Sequence, residues 1–209
     1  MIKKDIKLGL VIGFLIGLLA LPTLKNLEQD ILSKWQGFKF AYFFLLPIIL
    51  PLLVMAGLFI ADKLAKKIKV IWQLARFVLV GALNTFIDFG VLGFLLWVSK
   101  IDAGQTIALY AFFKFLSFSF ASINSYFWNR SWTFEKGGKA EGKEFAGFYL
   151  ITGVGALLNV GIASLIVSMV GSGTAVSGNV LAGIIAPFAG VLIGFIWNFL
   201  GYKFFIFKK

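Results

Sequence analysis

The 209 residues contain no cysteine and no histidine, which removes thiolate chemistry, disulfides, Cys/His metal sites and imidazole acid–base catalysis together. What remains able to do chemistry is a short set of side chains set in apolar sequence. Asp88 and Lys114 stand deep inside apolar stretches, where a charge costs about 2.5–3.5 kcal/mol on insertion scales, so each needs a reason. Asn84 and Asp88 are four apart and share one helix face. Lys114, Ser117, Ala121, Asn124 and Trp128 recur at spacings of three and four and make a second, largely polar stripe. Two such stripes facing each other would form a polar path; the alternative is adhesion between helices through hydrogen bonds. At about 1.5 Å per residue, Asp88 lies about 18 Å along its helix from Arg76, and Lys114 about 24 Å from Arg130. The difference of about 6 Å is within reach of a lysine stem, so neighbouring antiparallel helices are expected to pair them. Such a pair either fixes helix register or holds a lysine ready for an anionic group, neutralised by Asp88 when empty.

Arg130 and Lys203 end two comparable stretches. A guanidinium offers phosphate a planar fork, whereas an ammonium is a compact point charge. Asn124, Ser125, Asn129 and Trp132 surround Arg130 in sequence, and amides, a hydroxyl and a ring are what a sugar needs for hydrogen bonding and stacking. Plainer readings are anchoring of the two cations at the membrane surface and an interfacial aromatic belt for Trp132. Asn159 and Asn198 extend the amide pattern into the second half of the chain.

The elements that must position these groups are membrane helices. Apolar residues make up 60% of the chain and charged ones 14%, with 25 Phe and a mean hydropathy of +0.94. A soluble domain runs nearer 45–50% apolar and about a quarter charged. With about 20 residues needed per crossing, six spans are expected, near 7–24, 39–61, 76–98, 106–129, 145–170 and 179–202. Of the 20 Lys and Arg, fifteen fall at the two termini and in the 63–76 and 130–143 linkers, all on one side; Lys25, Lys34, Lys39 and Lys100 are on the other. Both termini are therefore expected in the cytoplasm, and the net charge of +11 reads as a topology signal rather than a nucleic-acid footprint. The first span, Leu8–Leu21 behind a basic leader, is read as retained rather than as a signal peptide, because its loss would leave an odd number of spans. Leu27, Ile31, Trp35 and Phe38 suggest a short helix lying on the outer surface within 27–38. Pro187, near Gly183, Gly190 and Gly194, is expected to kink the last span, as Pro47 and Pro51 do the second.

The last 140 or so residues read as two copies of one unit. Val80-Gly81-Ala82-Leu83-Asn84 recurs as Val154-Gly155-Ala156-Leu157-Leu158-Asn159, and Asn129-Arg130-Ser131-Trp132-Thr133-Phe134 is echoed by Tyr202-Lys203-Phe204-Phe205-Ile206-Phe207. Offsets of 73 to 75 residues agree between the matches, giving repeats near 72–136 and 145–209. Two spans per unit return the chain to its starting side, so the hairpins are expected to be parallel repeats about the membrane normal. Ala163 and Pro187 stand where Asp88 and Lys114 would recur, so the charged pair belongs to one copy only.

Arg76-Phe77, Val80-Gly81 with Asn84 and Asp88, the run Asn124-Ser125-Tyr126-Phe127-Trp128-Asn129-Arg130-Ser131-Trp132-Thr133-Phe134, and the closing Asn198-Phe199 with Lys203 resemble the GtrA-like family. The resemblance covers residues 72–209 and divides the chain into an N-terminal two-span hairpin, 1–70, and a four-helix domain, 71–209. It implies a non-enzymatic protein of the cytoplasmic membrane that moves polyprenyl-phosphate-linked sugars for cell-surface polysaccharide synthesis, beside a separate membrane glycosyltransferase. The added hairpin departs from the pattern and suggests helices that replace a partner's; an assembly of several copies is a further option. Two other functions stay open: a scaffold recruiting a glycosyltransferase, and a small cation-coupled exporter using Asp88. No Walker or dinucleotide motif is present, so no nucleotide cofactor is implied.

Overall fold

The computed structural model describes residues 3–26, 39–99, 107–170 and 186–208, and every element among them is helical. In chain order these are α1 (Lys3–Asn26), α2 (Leu46–Ala65, after a 3-10 turn at Phe40–Leu45), α3 (Val70–Ser99), α4 (Ile107–Trp128), α5 (Gly142–Val170) and α6 (Ala186–Gly201). Two π-helical segments, Asn129–Thr133 and Tyr202–Ile206, continue α4 and α6. Five stretches among the described residues are long and apolar enough to cross a membrane: Lys3–Pro22, Phe40–Ala65, Val70–Leu96, Gly142–Ile166 and Phe188–Ile206. With Phe44, Leu52, Leu53, Phe112 and Phe188 among many exposed large apolar side chains, this is the inside-out surface of a multi-pass membrane protein. The 22-residue α4 is not among the five.

Two helices start ahead of their expected spans. α1 begins at Lys3, ahead of the expected 7, since lysine stems let a helix extend while the ammonium stays wet, and α3 begins at Val70, ahead of the expected 76, where Val70, Ile71, Trp72 and Leu74 lengthen its apolar run. The expected surface segment at 27–38, the 171–178 loop and the first part of the expected 179–202 span lie outside the described residues. Pro187, expected to break that span, is the second residue of α6 as described.

Contacts divide the chain into two compact units, Met1–Thr133 and Phe134–Lys209. In the first, α1 packs antiparallel on α2 with almost no space between backbones: a Cβ on Gly13 would lie 2.5 Å from Pro51 Cα. Small residues at such a seam let helices approach where lipid supplies no hydrophobic drive. α1 also runs parallel to α3, with Asp5 against Arg76 and Leu19 against Gly90. Ile12 and Ile16 of α1 join Val80, Leu83 and Trp132 in the unit's core. α3 and α4 are antiparallel neighbours, so the start of α1, the 66–69 turn and the first π segment share one end of the unit.

In the second unit α5 and α6 pair antiparallel. Gly190 lies so close to the Asn159 carbonyl that no side chain fits there. Their shared end is aromatic: the Phe148 and Tyr202 rings stack at 4.3 Å, Phe134 and Phe207 at 5.2 Å, and the Tyr202 and Thr152 hydroxyls lie 2.6 Å apart.

Candidate functional site

The polar stripes of α3 and α4 meet. Asn124 Nδ2 donates to Asn84 Oδ1 at 2.7 Å. Further along the helices, Lys114 Nζ forms an ion pair with Asp88 Oδ2, while Ser117 Oγ donates to Asp88 Oδ1 at 2.5 Å and contacts the Lys114 carbonyl at 3.0 Å. Four residues per helical step put Asn84 and Asp88 on the face that α4 covers, and spacings of three and four do the same for Lys114, Ser117 and Asn124. Ser117 and Ala121 are buried at this contact. The pair itself is not sealed. The Lys114 side chain is 41% exposed and that of Asp88 17%, so the ammonium reaches the outside of the helix pair while the carboxylate stays between helices.

A second polar cluster occupies the end of the same unit. Arg76 Nη2 and Trp132 Nε1 both donate to Asp5 Oδ1, at 2.7 and 2.8 Å, and Arg76 Nη1 donates to the Trp132 carbonyl at 2.8 Å. The guanidinium also lies 5.0 Å from the Trp72 ring and 5.6 Å from the Trp132 ring, within cation–π range. Asp5, Arg76 and Trp132 are all buried. A π turn takes one residue more per hydrogen-bonded ring than an α turn, which shifts its carbonyls out of α register. Because the segment ends at Thr133, the Trp132 carbonyl has no following turn to accept from and meets the guanidinium instead.

Trp132 is accordingly neither in an interfacial belt nor open for stacking on a sugar, as the sequence suggested. Its ring fills the space among Ile12, Ile16, Val80 and Leu83, with Trp128 edge-on at 5.8 Å. Asn129 is corrected in the same way: it is buried, its amide donates to Ser125 Oγ at 3.1 Å, and its Oδ1 has no hydrogen-bond partner among the described residues. Arg130 stands half-buried on the π segment between these two inward side chains. In the second unit, Lys203 Nζ lies 5.6 and 5.7 Å from the Phe199 and Phe204 rings. Asn198 fits against Gly155 and Asn159 against Gly190, so these amides meet glycine backbone on the partner helix rather than each other.

Sequence reasoning passed over Asp5. The signal was present: a lone carboxylate inside the basic leader Lys3-Lys4-Asp5-Ile6-Lys7, one turn before Gly9, Gly13 and Gly17 at four-residue intervals. Arg76 was noted for topology and motif, not as the partner of an acid 71 positions away.

No solved structure matches the chain. The Bacillus subtilis (strain 168) protein named "Uncharacterized membrane protein YngA" is 42% identical over 88 residues, 42% of this chain and 52% of that protein, so the chain spans about half the length of this relative. Residues 76–207, which carry both polar stripes, Arg76 and the two π segments, match the family described as GtrA/DPMS, transmembrane domain, and the chain belongs to that family.

Proposed function

We propose that this protein, acting without covalent catalysis, carries polyprenyl-phosphate-linked sugars across the cytoplasmic membrane beside a membrane glycosyltransferase. The single observation that carries the reading is the half-open Asp88–Lys114 pair between α3 and α4. A lysine whose side chain is 41% exposed beside its carboxylate partner can exchange that carboxylate for the phosphate of an incoming lipid, because it can be reached from outside the helix pair. The Asn84–Asn124 amides continue the polar track toward the end of the unit where Arg130 stands. There a guanidinium suits a lipid phosphate at headgroup depth. α4, rich in serine and amide, is the sixth span in this reading, its polar face satisfied by α3 rather than by lipid. Both termini are cytoplasmic in the same reading, which the Lys/Arg bias supports. Labelling of a Lys139→Cys variant by an impermeant reagent from outside the cell would overturn that orientation.

The Lys114→Met change strands Asp88 between helices and should abolish movement of the lipid-linked sugar in reconstituted vesicles. Adding Asp88→Asn removes both charges; this double variant should fold as wild type and remain inactive. Full transport by the double variant would reduce the pair to a register device and sink the reading, and a proton-dependent cation flux that needs Asp88 would favour the exporter instead.

A further inference from the structure

The buried cluster at the end of the first unit takes its carboxylate from outside the family-matched region. Arg76 and Trp132 lie within residues 76–207; Asp5 is brought by α1. The fold does not need this cluster in order to close. The second unit ends in a π segment of the same five-residue length, 73 residues on, with Leu150 and Phe205 at the positions of Arg76 and Trp132 by the sequence offsets, and the Phe207 amide donating to the Tyr202 carbonyl at 2.7 Å. A buried guanidinium–carboxylate pair is costly to desolvate and is often replaceable by apolar residues without loss of stability. Its presence in one unit alone, at the base of the segment that bears Arg130, calls for a role beyond closure.

We propose that Asp5 is a positioning residue: its carboxylate, delivered by α1, holds Arg76 and the Trp132 indole and so fixes the π segment Asn129–Thr133 and the direction of Arg130, making the N-terminal hairpin part of the ligand site. One oxygen, Asp5 Oδ1, takes a donor from α3 and a donor from the π segment. The same guanidinium reaches the π-segment backbone through Nη1. Lys4 Nζ adds a contact to the Ser131 carbonyl at 3.4 Å. Three of the five residues of the segment are buried by these and neighbouring contacts, which leaves Ser131 and Arg130 as its accessible side chains. A segment held from inside on both flanks of Arg130 fixes the backbone from which that side chain departs.

This inference rests on Arg130 as the phosphate-binding group of the proposed function, and the test separates the two. The Cys-free full-length chain takes a nitroxide at Ser131→Cys on the π segment, or at Glu141→Cys in the second unit as a control. Asp5→Ala should sharpen the electron paramagnetic resonance lines at 131 and leave those at 141 unchanged. It should also weaken binding of a polyprenyl-phosphate sugar in detergent roughly tenfold, the low end for groups that orient a ligating side chain. If Asp5→Ala does not insert, Trp132→Phe removes the indole N–H together with part of the ring that carries it, and should mobilise position 131 in the same way. Sharpening at both labels would mean a general loosening of the fold and overturn the proposal, as would no change at 131. Mobility at 131 with unchanged lipid binding, while Arg130→Lys does weaken binding, also overturns positioning. Unchanged binding in Arg130→Lys as well overturns instead the phosphate role of Arg130.

Discussion

The α3–α4 and α5–α6 hairpins share a backbone plan and differ in what lies against it. Each pairs a helix of 30 or 29 residues with a second helix that runs on into a five-residue π segment. In the first, the face formed by Arg76, Val80, Leu83 and Trp132 is 4%, 0%, 0% and 1% exposed, because α1 lies on it. In the second, the residues matching by sequence offset, Leu150, Val154, Leu157 and Phe205, are 70%, 40%, 73% and 80% exposed. The uncovered face is wholly apolar and suits lipid tails; the covered one contains a guanidinium and an indole donor that lipid could not satisfy. The lesson is that α1 supplies the α3–α4 hairpin with a hydrogen-bonding partner as well as a packing surface. The polar machinery is concentrated where that partner exists, since Asp88, Lys114 and Asp5 have no equivalents in the α5–α6 hairpin.

The strongest way to break the comparison is to truncate the matching aromatics. Trp132→Ala should cost about 3–5 kcal/mol, as large buried aromatics do, while Phe205→Ala should stay within about 0.5 kcal/mol. Thermal melts in detergent read both; equal losses would mean that the second face is covered in the working protein. A smaller effect sharpens the role of the hairpin. Gly13→Ala drives a methyl into the Pro51 backbone and should cost about 1–3 kcal/mol, whereas Gly57→Ala, with nothing within 4 Å, should be neutral or stabilising by helix propensity. If the two glycine variants melt alike, the α1–α2 seam is looser than its geometry implies. The smallest expected effect on the fold, though not on binding, comes from the matching cations. Arg130→Lys should leave the melting temperature unchanged yet weaken lipid-phosphate binding by about 1–3 kcal/mol, the worth of a charge-assisted hydrogen bond. Lys203→Arg in the second hairpin should alter neither, and equal changes in binding would show that both hairpins hold phosphate.

The sequence alone was sufficient for everything that local periodicity or composition dictates. Apolar content settled the membrane class, because no soluble core absorbs 25 Phe at this charge density. Spacings of three and four placed Asn84 with Asp88, and Lys114 with Ser117 and Asn124, on single faces; helix pitch then put Asp88 and Lys114 at compatible depths, and they meet. Offsets of 73 to 75 identified two comparable hairpins, although the π geometry that ends each has no simple sequence signature.

Only the tertiary structure decided which helices touch and what each face meets. Asp5 and Arg76 are 71 positions apart and Asp5 and Trp132 are 127 apart, and nothing in the pitch of either helix relates them. Trp132 looked interfacial because indoles favour that depth, but α1 turned its surroundings into a core. Asn159 and Asn198 looked like members of a polar track, and only the fold shows that the glycines opposite them bring backbone within contact distance of both residues. A helix repeats itself every 3.6 residues, so a sequence reveals its faces; the identity of the neighbour on each face is fixed by how closely two backbones can approach, and that depends on both helices at once.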